Sequence, residues 1–148
     1  MDLPPKLNTI VRFFEQLPED EKRENLIAYS RQVRHHEPRS GERFDFEEVR
    51  KDRDCTDTVG IHLRLDPGGG LRLAMTLGPE VQTLTRALAV ILCKGLDGAS
   101  PETISALPTE FIRRIVGSEL VRTRSRSIYY LLGRLQSACR ELSSGKRV

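Results

Sequence analysis

Residues 58–77 read Thr58-Val59-Gly60-Ile61-His62-Leu63-Arg64-Leu65-Asp66-Pro67-Gly68-Gly69-Gly70-Leu71-Arg72-Leu73-Ala74-Met75-Thr76-Leu77, and this stretch decides the fold class. Val59, Ile61, Leu63 and Leu65 alternate with more polar neighbours, a period of two that suits a half-buried strand. Asp66-Pro67-Gly68-Gly69-Gly70 supplies a turn, and Leu71, Leu73, Met75 and Leu77 alternate on the return. Immediately after, Gly78-Pro79-Glu80 opens the most apolar helix of the chain, expected over about 80–94 with Val81, Leu84, Leu88, Ile91 and Leu92. It is apolar nearly all round at its end, so it should lie at the centre of the core.

On the N-terminal side, Leu7, Ile10, Val11, Phe14 and Leu17 stand at helical spacing after Pro4-Pro5, and Leu17-Pro18 ends that helix. Pro18-Glu19-Asp20-Glu21 opens a second, with proline and carboxylates in the first turn where the helix dipole favours them. It is expected to run to about Arg34. Residues 35–57 form a charged stretch in which only Phe44, Phe46 and Val49 are strongly apolar, interrupted by Pro38 and Gly41. It reads as a loop leading to Cys55, and loops of that length are usually functional or disordered.

On the C-terminal side, Ser100-Pro101-Glu102 reads as a cap and first turn of a short helix. Another short helix is expected around 109–116. A last helix should begin near Ser125 or Ser127, with Ile128, Leu131, Leu132, Leu135, Ala138 and Leu142 on one face. No internal repeat or low-complexity tract is visible. The expectation is one α+β domain over residues 1–148, with helices packed around a small antiparallel sheet.

Composition removes several function classes. The 148 residues are 38% hydrophobic and 30% charged, with no Trp and 5% aromatics, so a stacking platform for single-stranded nucleic acid is hard to build. The longest apolar run, Ala87–Cys93, is far short of the roughly 18–20 residues a membrane helix needs. Met1-Asp2-Leu3-Pro4-Pro5 has neither a basic nor an apolar signal region, so a cytoplasmic location is expected. Three cysteines is an odd number, which argues against a disulfide framework and for a reducing compartment.

The net charge of +3 conceals an asymmetry. Residues 1–110 carry 15 Lys/Arg against 19 Asp/Glu, and residues 111–148 carry 9 against 2. The basic third either steers an acidic partner or a phosphate backbone, or is the solvated face of a terminal helix. Within it, Arg122-Thr123-Arg124-Ser125-Arg126-Ser127 is open to three readings: an anion site, a docking point, or a helix start with solvated charge.

The cysteines differ in setting. Cys93 and Cys139 lie on apolar helix faces and read as small core residues. Cys55 sits in Lys51-Asp52-Arg53-Asp54-Cys55-Thr56-Asp57, with no apolar neighbour to bury it. Lys51 and Arg53 favour a thiolate there and the three aspartates oppose it, so Cys55 is either a reactive thiol or an incidental exposed one. His35, His36 and His62 make no metal-ligand spacing with a cysteine pair, and no metal site is expected. Gly68–Gly70 is not a phosphate loop, because no Gly-Lys-Ser/Thr follows.

The order of these pieces resembles the SufE family over roughly residues 5–142. Gly78, Leu84-Thr85-Arg86-Ala87-Leu88 and Ser100-Pro101-Glu102-Thr103-Ile104 look like that family's glycine, its hydrophobic-x-basic-small-Leu run and its Thr-Pro-x-x-Ile element. Leu120–Ile128 looks like its Leu…Ser-Arg-x-Asn/Gln-Gly-Leu segment, with the arginine at Arg124. Cys55 then falls at the family's sulfur-accepting cysteine, with Val59 at its valine. The family's Gly-Cys-x-Ser-x-Val-Trp is altered to Asp54-Cys55-Thr56-Asp57-Thr58-Val59-Gly60, and its Asn/Gln-Gly to Arg126-Ser127.

The resemblance implies a SufE-like fold and a sulfur carrier for iron–sulfur cluster assembly. A cysteine desulfurase would pass persulfide sulfur to Cys55, and Arg124 would hold the loop or the partner. It implies a carrier and desulfurase activator more than a stand-alone enzyme, with no cofactor of its own, pyridoxal phosphate belonging to the desulfurase. An iron–sulfur scaffold is the implied recipient; no membrane is implied, and nucleic acid is disfavoured. Two alternatives stand beside it: a basic interaction module binding an acidic protein or nucleic acid through residues 111–148, and a divergent SufE-like protein that has lost sulfur transfer at its altered Asp54, Asp57 and Gly60 flanks. A thiol hydrolase is least favoured, since no base is placed near Cys55.

Overall fold

Helix α3 (Thr83–Leu96) runs through the middle of the core, with Ala87 to Cys93 continuously buried. Each fully buried Leu or Ile on it contributes roughly 1.5–3 kcal/mol of hydrophobic stabilisation. α1 (Pro5–Glu15) packs on it through Leu7, Ile10, Val11 and Phe14, and α2 (Glu19–Ser30) through Leu26. Gly95 permits the α1 contact, because a Cβ there would come within 2.8–3.0 Å of Leu7. The computed structural model describes residues 3–145.

A three-stranded antiparallel sheet lies beside the helices in the order β1 (Phe46–Arg50), β2 (Val59–Leu65), β3 (Leu71–Leu77). In the β2–β3 register Val59 faces Leu77, Ile61 faces Met75, Leu63 faces Leu73 and Leu65 faces Leu71, so the alternating residues share one face, as their period of two requires. On the opposite face His62 is buried, hydrogen-bonded to Glu47 Oε2 (2.8 Å) and Thr76 Oγ1 (3.1 Å).

The structure differs from expectation over residues 35–57. A short 3-10 helix, Val33–His36, follows α2, and the stretch expected to be loop contains β1. Of β1 only Phe46 is buried and Val49 is 59% exposed, so this edge strand lacks the alternation by which strands are found. The connection that bears Cys55 is therefore 51–58, a link between two neighbouring strands of one sheet.

The C-terminal half consists of α4 (Pro101–Ser105), capped by Ser100 Oγ accepting from Thr103 N–H (3.1 Å), then α5 (Glu110–Val116) and α6 (Ser118–Ser144). α6 follows directly on Gly117, whose φ of +91° turns the chain out of α5, and a break at Arg124 divides it into a short first piece and the helix expected from Ser125. The break (φ −132°, ψ 29°) lies beside Thr123, whose hydroxyl donates back to the Glu119 carbonyl (3.0 Å) in a pattern that bends helices. The apolar face from Ile128 to Ala138 closes the core as expected. Among the described residues no helix is long and apolar enough to cross a membrane.

Candidate functional site around Cys55

The loop 51–58 is tied down on both sides of Cys55. Downstream, Thr56 Oγ1 donates to the Glu80 carbonyl (2.7 Å), while the Asp57 carboxylate accepts from Thr58 N–H (2.7 Å) and Glu80 N–H (2.9 Å). The Glu80 N–H and then that of Thr58 hold the Asp57 carboxyl below its usual range, so it stays ionised at neutral pH. Gly78 is required here, because a Cβ would lie 2.3–2.5 Å from the Asp57 carboxylate. Arg86 braces the same turn, donating to the carbonyls of Val81 (2.9 Å) and Gly78 (2.7 Å). The basic residue of the Leu84–Leu88 run thus supports the Cys55 loop through the turn before α3.

Upstream, Asp52 accepts from Tyr130 Oη (2.7 Å) and from Arg50 Nε (2.9 Å to each oxygen). Burial would raise the Asp52 carboxyl, but the hydrogen bonds from Tyr130 and Arg50 outweigh it and hold the group low. Burial, with the bond to Asp52, pushes the Tyr130 hydroxyl up to about 12, so Tyr130 remains a donor. Behind it lies Arg134, buried on α6. Its guanidinium donates to Tyr130 Oη (2.8 Å) and to the backbone carbonyls of Glu48 and Val59 (3.1 Å each). Arg50, Asp52, Arg53, Arg126, Tyr130 and Arg134 line an open cleft of about 530 Å³ beside the loop.

Between these anchors Cys55 is half-buried, its backbone N–H donating to the Asp52 carbonyl (3.2 Å). It lines a cleft of about 120 Å³ with Arg53, Asp54, Thr56, Gln82, Thr85 and Ser127, between the start of α3 and the region of α6 just past its break. Cys93 and Cys139 are buried, and burial pushes both thiols up to about 12. At neutral pH their thiolate fractions are negligible, and Cys55 is the one cysteine that is not buried.

Arg124 does not line the Cys55 cleft. Its guanidinium donates to the Gln82 side-chain oxygen, and Gln82 lines the cleft, so the two residues singled out from sequence are connected through a third. Gln82 had no signal of its own beyond standing just before α3. Asp52, Tyr130 and Arg134 were also missed, although a lone arginine at 134 within the stripe Leu131, Leu132, Leu135, Ala138 asks for a buried partner.

The altered flanks have local explanations. Asp57 caps the turn before α3, as described. Gly60 faces Thr76 across the sheet, and a Cβ would lie 2.1 Å from Thr76 Oγ1 and 2.9 Å from His62 Nε2, so the space beside residue 60 is already occupied. Among the described residues no group of three or more His, Cys, Asp or Glu is placed to hold a metal. The basic segment 111–148 is present as α5 and α6, with Lys146 and Arg147 outside the described residues.

A family model, SufE, described as an Fe-S metabolism associated domain, matches residues 8–139. A Plasmodium vivax protein named "Cysteine desulfuration protein SufE" is 32% identical over 131 residues, which are 87% of this chain and 50% of that protein. The chain thus spans about half the length of that relative. The solution structure of a hypothetical protein from Thermus thermophilus is similar with a TM-score of 0.74 and 28% identity, covering 97% of this chain and 99% of the other.

Proposed function

The chain belongs to the SufE family, and from that premise we propose that Cys55 accepts sulfur from a cysteine desulfurase as a persulfide and carries it towards iron–sulfur cluster assembly. One observation carries this reading: of three cysteines, Cys93 and Cys139 are buried and Cys55 alone is half-exposed, on a loop anchored at both ends. The whole chain, 1–148, acts in this reading as one SufE-like domain in the cytoplasm, where thiols stay reduced.

The step is thiol exchange. Cys55 loses its proton to solvent, and the thiolate attacks the outer sulfur of the desulfurase persulfide. A new S–S bond forms at Cys55 as the old one breaks, its electron pair leaving on the desulfurase thiolate. The pyridoxal phosphate that frees sulfur from L-cysteine belongs to the desulfurase, and SufE-like proteins carry no cofactor of their own. An iron–sulfur scaffold receives the sulfur by the same exchange. Arg124 is a positioning residue in this scheme: through Gln82 it sets the wall of the cleft, and its exposed neighbours Arg122 and Arg126 offer charge to an acidic partner surface.

The test is intact mass after incubation with a cysteine desulfurase and L-cysteine. A gain of one sulfur, about 32 Da for a persulfide, is expected in the wild type and in Cys139→Ala, and not in Cys55→Ala. Arg124→Ala is expected to slow the gain without lowering Tm. Absence of the adduct with several desulfurases overturns the carrier reading in favour of a divergent protein that has lost the transfer.

A further inference from the structure

A carrier cysteine must be held when idle and presented when a partner arrives, and the upstream anchor of the Cys55 loop is built for the first task. Arg134 touches both ends of the loop. Its Nη2 binds the carbonyl of Val59, four residues after Cys55, and its Nη1 reaches Asp52, three residues before Cys55, through Tyr130 Oη (2.8 Å, then 2.7 Å). The direct separation of Nη1 from Asp52 Oδ2 is 3.7 Å, too long for a hydrogen bond, so the hydroxyl is the link.

The two halves of this assembly differ in permanence. Arg134 is fixed: its side chain is 3% exposed and bound to two backbone carbonyls of the sheet. Asp52 is not: its side chain is 29% exposed, it faces the open cleft of about 530 Å³, and its other tie is Arg50, itself half exposed. Water, or a polar group of a docking partner, can reach Asp52 without disturbing the core. The adjacent Asp52 carbonyl accepts the Cys55 N–H, so movement at Asp52 is passed directly to Cys55.

We propose that Asp52, Tyr130 and Arg134 form a releasable clasp that sets the half-buried resting position of Cys55, with Tyr130 and Asp52 as positioning residues for sulfur acceptance. The inference takes its purpose from the carrier reading above. Opening the clasp at the Tyr130–Asp52 link releases the first half of the loop from α6 and leaves it the exposed tie to Arg50 at the end of β1, while Thr56 and Asp57 remain tied to Glu80. Cys55 then swings outward on a tether fixed at its far side. Arg53 and Arg126 line the same cleft, their side chains without a hydrogen-bond or ion-pair partner among the described residues, and they give an incoming acidic segment a place to bind as the link opens.

The experiment is the rate of Cys55 alkylation by iodoacetamide, a neutral reagent, read by peptide mass mapping in Tyr130→Phe and Asp52→Asn. Tyr130→Phe deletes the link and keeps the ring and the charges. The expected result is a rate about fivefold above wild type in both variants, the weight of one net hydrogen bond. In Tyr130→Phe the increase should be equal across pH with an unmoved midpoint, which marks exposure and not a change in thiol acidity. Ser137→Ala, in the same cleft but outside the clasp, should match wild type, and Cys93 and Cys139 should stay unreacted.

Wild-type rates in folded Tyr130→Phe overturn the clasp, and so does a parallel rise at all three cysteines, which would be general loosening. If Asp52→Asn does not fold, Tyr130→Phe decides alone. The assay uses no desulfurase, so the two readings fail separately. Clasp-dependent alkylation without any persulfide adduct would remove the carrier function and leave the clasp standing.

Discussion

Replacing Arg134 with Met tests how much of the fold depends on one buried cation. Met keeps much of the stem that packs among Leu131, Leu135 and Ala138, and it removes the guanidinium. The lost contacts are bonds to the Glu48 and Val59 carbonyls and to Tyr130 Oη, with ion pairs to Glu48 at 3.4 Å and Asp52 at 3.7 Å. Deleting one partner of a buried pair costs about 3–5 kcal/mol. Two features move the figure to the lower end. The Glu48 and Asp52 side chains are 20% and 29% exposed, so their carboxylates can rehydrate. Arg134 Nε is buried without an acceptor, a cost that Met abolishes.

The expected loss is therefore about 3 kcal/mol, which for a chain of this size lowers Tm by about 6–12 °C. Thermal unfolding followed by circular dichroism measures it. Urea titration should show a lower midpoint at unchanged slope, the mark of lost stability without a changed unfolded state. Asp52→Asn should cost less in the Arg134→Met background than in wild type, because the two share one network. Unfolding of Arg134→Met at the wild-type midpoint would refute the view that this arginine joins α6 to the sheet.

Two further outcomes follow from local geometry. Glu42 accepts from Arg72, Arg64 and the Arg39 N–H, and the Arg72 hydrogen bond leads in holding its carboxyl down at about 2. Its folded value lies below the ordinary 4.5, so its contribution is complete above about pH 4.5 and disappears as pH falls through about 2. Glu42→Gln should lower stability at neutral pH and flatten the acid limb over that window; denaturation across the window measures it, and an unchanged limb would count against the assignment. Gly60→Ala places a Cβ 2.1 Å from Thr76 Oγ1 and should destabilise by about 1–3 kcal/mol of overpacking. A Thr76→Ala background should recover part of that loss in chemical denaturation, and a neutral Gly60→Ala would contradict the packing described.

What could be read from sequence tracks the range of the interactions involved. The β2–β3 hairpin and α3 were legible because alternation and continuous apolarity are properties of neighbouring residues. β1 was not, since an edge strand with one buried residue, Phe46, has no period to detect. The last helix was legible from Ser125 onward, where the break at Arg124 starts it afresh, and the short piece before the break was not, because Ser118–Thr123 offers only Leu120 and Val121 as apolar residues. The three cysteines separated correctly into two buried and one accessible, since apolar neighbours bury a thiol and charged ones leave it open.

Local pattern was enough for the α+β class, the central helix and the one cysteine left unburied. Only the tertiary structure decided how that cysteine is held. The residues that hold it lie far away in the chain: Arg134 binds carbonyls at 48 and 59, Tyr130 binds Asp52, and Arg124 reaches the Cys55 cleft through Gln82. The physical reason is that a buried guanidinium takes whichever carbonyls and hydroxyls the packing of α6 on the sheet brings within about 3 Å. That packing is set by the whole core and is written in no short segment.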